Sequence, residues 1–207
     1  MPPVRRALPL LLLAFVLFAG CRREIPNLDS PGTTIVAFGD SITAGYGAEG
    51  PGTTYPERLA DRIGRPVINE GVPGDTTADA LARIEPVLAH DPWLVIVELG
   101  GNDLLRQTPI ERVEANLTAI VERLLAARIA VVLVEIHGPF GGGRYADLFE
   151  RLGEKYHVPV LEDALPDILS DPKLKSDEIH PNAAGYAKLA EAVSEELEPI
   201  LKRRGAR

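Results

Sequence analysis

A chain of 207 residues with 45 % hydrophobic side chains can bury one substantial core, and its single cysteine excludes an internal disulfide. Thirty acids against 22 bases give a formal charge of −8, an acidic balance that argues against nucleic acid as a partner.

The N-terminus comes first in chain order. Arg5 and Arg6 precede an apolar run from Leu10 to Ala19 that ends at Gly20-Cys21. A basic start, a short apolar stretch and a small-residue cleavage site make residues 1–20 an export signal, too short to be a spanning helix. Cys21 stands at the cleavage point, and Ala19-Gly20-Cys21 resembles the lipobox of bacterial lipoproteins, with Phe18 where a smaller aliphatic residue is usual. That resemblance implies a lipid anchor on Cys21 in the bacterial cell envelope. The alternative is a plain secretory signal with an incidental cysteine. Residues 21–33, with Pro26 and Pro31, read as a tether, and residues 34–204 as one folded domain.

From residue 34 onward, short β-rich runs alternate with helical patterns. Strands are expected at 34–38, 66–69, 94–99, 129–136 and 158–161. The first long helix spans 55–63 and stops at Gly64, and the second spans 76–90 with Ala80, Leu81, Ile84 and Leu88 on one face. Thr108 as N-cap, Pro109 at the first helical position and Glu111 in a capping box introduce a third, striped by Val113, Leu117, Ile120 and Leu124. Helices over 145–156 and 181–201 complete the set. Leu94 to Val97 and Ala130 to Val134 are apolar without alternation, as strands buried on both faces are. The expected fold is a three-layer α/β/α sandwich on a five-stranded parallel sheet, with its ligand site at the carboxyl ends of the strands.

The loops at those ends carry the chemistry: Gly39-Asp40-Ser41 after the first strand, Gly71 to Thr76 after the second, Gly100-Gly101-Asn102-Asp103 after the third, and Asp177 to Asn182 beyond the fifth. Each has an ordinary reading by itself. Gly-Asp-Ser is turn chemistry, Gly74-Asp75-Thr76 can cap a helix, and Asp177 with His180 can be a surface pair before the last helix. Acyl transfer gives all four one purpose, with Ser41 as nucleophile, His180 as base and Asp177 orienting the base. The backbone N–H groups of Ser41 and Gly74 and the amide of Asn102 are then available to an oxyanion. His90 and His157 read as structural, and His137 as structural or lining the cleft.

In order and spacing, Phe38-Gly39-Asp40-Ser41, Gly71 to Thr76, Gly100 to Asp103 and Asp177-x-x-His180-Pro181 resemble the four blocks of the SGNH (GDSL) hydrolases. Val97-Glu98-Leu99-Gly100-Gly101-Asn102-Asp103 is similar to the branch of bacterial thioesterase/lysophospholipases and arylesterases. The resemblance implies a flavodoxin-like SGNH fold, Ser41, Asp177 and His180 as the triad, and Ser41, Gly74 and Asn102 as the oxyanion hole. Pro73 departs from the small polar residue usual before the glycine, but leaves the Gly74 N–H intact. With neither a paired-histidine motif nor a cysteine cluster, no metal or cofactor is expected. A monomer is expected.

Ile42, Leu104, Leu105 and Phe140 are candidates for an apolar acyl pocket. Gly138 to Gly143 reads either as a lid or as a loose surface loop. These features favour short-to-medium acyl or aryl esters, with thioesters and lysophospholipids within reach. One alternative is a carbohydrate or peptidoglycan O-acetyl esterase. Another is a non-catalytic envelope lipoprotein, which would have no need of Ser41, Asn102, Asp177 and His180 together.

Overall fold

The computed structural model of the chain describes residues 24–136 and 142–205, so residues 1–20, read as an export signal, and Cys21 lie outside the described residues. Five strands form one sheet: β1 (Thr34–Gly39), β2 (Val67–Gly71), β3 (Pro92–Glu98), β4 (Ala130–Val134) and β5 (Val160–Leu161). Their order is β2-β1-β3-β4-β5, and every pair is parallel. All of β3 and β4 is buried, which is the physical reason for their unbroken apolar runs.

The helices are α1 (Ser41–Ala44), α2 (Tyr55–Ile63), α3 (Thr77–Ala82), α4 (Ile84–Leu88), α5 (Gly101–Leu105), α6 (Ile110–Ala126), α7 (Gly142–Tyr156), α8 (Ala164–Ser170) and α9 (Ala183–Gly205). From β1 the chain crosses one way to β2, and each later crossover runs the other way. Right-handed crossovers then send α2 to one face and α3, α6 and α7 to the other. In keeping with this, α2 and α8 pack on α9, while α3 and α7 pack on α6. This is the three-layer sandwich.

Several boundaries differ from the sequence pattern, each for a local reason. The helix expected over 76–90 is broken at Arg83 into α3 and α4. Pro86 has no N–H for the Ala82 carbonyl and its ring would crowd that turn, so an unbroken helix cannot pass. Thr108 does not cap α6, whose N-cap is Pro109 without a side-chain bond. The Thr108 N–H instead closes onto the Asp103 carbonyl at 2.9 Å, wrapping the end of α5. Capping boxes occur at Thr54–Glu57 before α2 and Thr76–Asp79 before α3. The last helix starts at Ala183 rather than Pro181, because the Asn182 side chain accepts the N–H groups of Ala184 and Gly185.

Residues 24–33, within the span read as a tether, lie against the base of the sheet where the structure describes them. Arg204 of α9 donates to the carbonyls of Leu28, Ser30 and Gly32 and lies 4.3 Å from the Trp93 ring centroid. Asn27 donates to the carbonyls of Leu125 and Ile129.

At the opposite end of the sheet, α1 rests on β2 at Gly71. A Cβ there would lie 2.1 Å from the Ala44 nitrogen and 2.6 Å from the Thr43 carbonyl carbon. Gly71→Ala should lower stability by about 1–3 kcal/mol, the usual cost of overpacking. The measurement is the urea midpoint at unchanged slope; an unshifted midpoint would mean that α1 is not held this close.

Candidate active site

Because the strand order reverses at β1, the carboxyl ends of β1 and β3 form the switch point, the place where open α/β sheets receive ligands. Asp40 leaves β1 and caps α1, its Oδ1 accepting the Ile42 N–H at 3.0 Å. Ser41 is the first residue of α1, where a backbone N–H has no intrahelical partner. Its Oγ lies 3.0 Å from His180 Nε2, across 139 residues of sequence.

His180 is buried and its other ring nitrogen faces Asp177, with Nδ1 at 2.8 Å from Oδ2 and 3.0 Å from Oδ1. A carboxylate can only accept, so Nδ1 carries the hydrogen and Nε2 is left to accept from the serine hydroxyl. The loop holding them is pinned on both flanks. The Ser176 N–H donates to the His180 carbonyl and the Asn182 N–H to that of Leu174, both at 2.9 Å. Burial works to raise the Asp177 pKa, but the Ile179 N–H, the His180 ring and the His180 N–H outweigh it and hold the group below its ordinary value. Tyr46, itself exposed, covers the imidazole with ring centroids 4.4 Å apart.

The structure also gathers the three expected oxyanion donors around one junction. Asn102 Nδ2 donates to Asp40 Oδ2 at 3.0 Å and to the Asp75 carbonyl at 2.9 Å. It therefore ties the residue before Ser41 to the residue after Gly74. Both of its amide hydrogens are committed, so donation to an oxyanion requires one of these bonds to be shared or released. Gly74 has φ +89°, a conformation open to glycine at little cost, and its carbonyl accepts from Arg106 at 2.8 Å. The N–H groups of Ser41 and Gly74 donate to no group among the described residues.

Beneath the serine lies a buried acid. Glu98 closes β3, and its Oε2 accepts the Thr43 N–H at 3.1 Å and the Thr43 hydroxyl at 2.7 Å, while its Oε1 is buried without a hydrogen-bond partner among the described residues. Burial, then the charge of Asp40, raises its pKa well above the ordinary value. Burial likewise pushes Asp40 up to about 6, against the pull of the Ile42 N–H and His180. Asp40 thus stays an acceptor for Asn102 at neutral pH. Asp103 is buried too, taking the N–H and hydroxyl of Thr77, whose oxygen accepts from Asn116.

Of the expected pocket residues, Ile42 is buried, Leu104 packs partly buried on the core and Leu105 is exposed. Phe140 and His137 lie outside the described residues. His90 pairs with Glu70 at 2.6 Å. No group of three or more His, Cys, Asp or Glu side chains is placed to hold a metal among the described residues.

The family model described as GDSL-like Lipase/Acylhydrolase family matches residues 37–188, most of the chain. The chain belongs to this family. Similar to it are esterase TesA of Pseudomonas aeruginosa, 33 % identical over 198 residues that span 90 % of this chain and 98 % of the relative, and thioesterase 1/protease 1/lysophospholipase L1 of Escherichia coli, 29 % identical over 203 residues, 94 % and 93 %. Among solved structures, the psychrotrophic esterase EstA of Pseudoalteromonas sp., inhibited by monoethylphosphonate, superposes with a TM-score of 0.73 at 28 % identity, over 82 % of this chain and 98 % of the other. This member of the GDSL-like family is a hydrolase acting on ester bonds.

Sequence reasoning passed over Tyr46 as a partner of His180, Arg83, and the Asp40–Asn102 link. Glu98 did leave a signal, as the lone acid at the end of an otherwise apolar strand.

A carboxyl whose folded pKa exceeds its unfolded value stabilises the fold only at low pH, and the contribution is lost as pH rises through the folded value. Glu98→Gln keeps an acceptor for Thr43 and cannot ionise. As pH rises above the ordinary carboxyl range, its urea midpoint should therefore fall less than that of the wild type. An equal decline in both proteins would contradict a raised Glu98.

Proposed function

We propose that this chain is a serine esterase working through an acyl-enzyme on Ser41. The observation that carries the reading is the unbroken relay from Ser41 Oγ through both nitrogens of His180 to Asp177. Ser41 Oγ attacks the ester carbonyl as its proton passes to His180 Nε2, and Asp177 steadies the imidazolium that forms. The carbonyl oxygen becomes an oxyanion that takes the free N–H groups of Ser41 and Gly74, with Asn102 as a third donor once it shares or releases a bond. As the tetrahedral intermediate collapses, His180 returns the proton to the leaving oxygen or sulfur. Water then repeats the sequence on the acyl-enzyme, with His180 as base, and frees the acid.

The reading of the substrate is a short-to-medium acyl or aryl ester, with thioesters and lysophospholipids as extensions. Similarity to a thioesterase/lysophospholipase and to an esterase supports this range. Export through residues 1–20 and a lipid anchor on Cys21 complete the proposal, placing the enzyme in the bacterial cell envelope as a monomer. Among the described residues no helix is long and apolar enough to cross a membrane. The relay counts against a non-catalytic binding lipoprotein, for which a serine aligned on a histidine-carboxylate pair has no use.

Ser41→Ala should lower kcat on p-nitrophenyl butyrate by about 10⁴-fold or more with an unchanged circular dichroism spectrum, since triad members act as a unit. Full activity in that variant would reject Ser41 as nucleophile. A series of p-nitrophenyl esters from acetate to laurate, set beside acetylated xylan and peptidoglycan, should show the highest kcat/KM on a simple ester. Preference for an acetylated polysaccharide would instead establish an O-acetyl esterase.

A further inference from the structure

Arg83 stands where the chain breaks between α3 and α4, and the catalytic relay makes no use of it. Its guanidinium joins three segments. Nε donates to Asp75 Oδ2 at 2.5 Å, Nη2 to the carbonyls of Gly39 and Glu70 at 3.0 Å each, and Nη1 to Glu70 Oε2 at 3.4 Å. Its carbon lies 4.8 Å from the Phe38 ring centroid. Phe38 and Glu70 are partners in the β1–β2 register, so Arg83 sits over the carboxyl ends of both strands.

Gly39 immediately precedes Asp40-Ser41, whereas Asp75 immediately follows Gly74 and gives its carbonyl to Asn102. One planar, permanently charged group is thus bonded both to the segment carrying the Ser41 N–H and to the segment carrying the Gly74 N–H. A guanidinium can do this because its donors radiate in a fixed fork, whereas a lysine offers a single nitrogen. The ion pair is only partly exposed, with side-chain accessibilities of 21 % for Arg83 and 11 % for Asp75.

We propose that Arg83 is a positioning residue for the oxyanion site: it fixes the Gly74 loop against the end of β1, so that the two free N–H groups converge on one oxygen. The proposal rests on the serine-esterase reading. Oxyanion donors work only when pre-aimed at the developing charge, and a displacement of about 1 Å can cost about 10²-fold in rate. Arg83 touches neither nucleophile nor base, so its loss should be felt in the transition state rather than in substrate binding.

The test compares wild type, Arg83→Ala, Arg83→Lys, Asp75→Asn and Ser41→Ala on p-nitrophenyl butyrate. Beside it runs the affinity for an alkyl trifluoromethyl ketone, whose adduct with the nucleophile bears an oxyanion. Arg83→Ala and Asp75→Asn should each lower kcat by about 10- to 100-fold with KM changed less than about threefold. Ketone affinity should fall in parallel, Arg83→Lys should not restore it, and methylguanidinium should return part of kcat to Arg83→Ala but none to Ser41→Ala. If Arg83→Ala does not fold, Asp75→Asn carries the test, because it changes charge and not shape. Wild-type kcat in the Arg83 and Asp75 variants, or a loss confined to KM, would overturn the positioning role. If Ser41→Ala is inactive alongside those variants at wild-type kcat, the esterase reading survives without it, whereas an active Ser41→Ala rejects both.

Discussion

The pairing of β1 with β2 on one side and β3 on the other is the constraint on which the rest of the structure depends. Crossovers run from this strand to either side, so helices cover opposite faces and the carboxyl ends of β1 and β3 lie at the switch point between them. Ser41 follows β1, Gly74 follows β2 and Asn102 follows β3, all at that end. His180 arrives from the far end of the chain on a loop closed by the Lys175–Pro181 bridge. A sheet with another strand order would scatter these residues.

Environment divides the labour among the carboxyl groups near the serine. Glu98 is fully buried, which raises its pKa well above the ordinary value, and it holds α1 by Thr43. Asp40, less extreme, is an acceptor that aims Asn102. Asp177 is held ionised by the N–H groups of its own loop, which suits it to face an imidazolium. Adjacent in sequence to the nucleophile, Asp40 faces Asn102 and not His180, and so serves geometry rather than proton transfer. Burial with few donors keeps a proton on, while several converging donors keep it off.

Much of this was legible in the residues. Unbroken apolar runs in β3 and β4 betrayed a parallel sheet covered on both faces, and the four polar loops were readable because each follows a strand or precedes the last helix. Short helices such as α1, α5 and α8 escaped, since four to seven residues leave little room for a period of 3.6. Pro86 was visible, yet its consequence, a break at Arg83 that lets the guanidinium reach back over two strand ends, depends on tertiary packing. Tyr46 over His180 and Asn102 between Asp40 and Asp75 were equally hidden, because no periodicity encodes a contact between distant loops.

The central claim is that Ser41, activated by His180, is the atom that takes the acyl group. The most direct measurement is intact-protein and peptide mass spectrometry after treatment with an alkyl p-nitrophenyl phosphonate, which leaves a stable mimic of the tetrahedral intermediate on the attacking residue. One phosphonyl group per chain is expected, located on Ser41, with labelling and loss of esterase activity advancing together and slowed in His180→Ala. A label on another residue, or full inactivation with Ser41 unmodified, would contradict it.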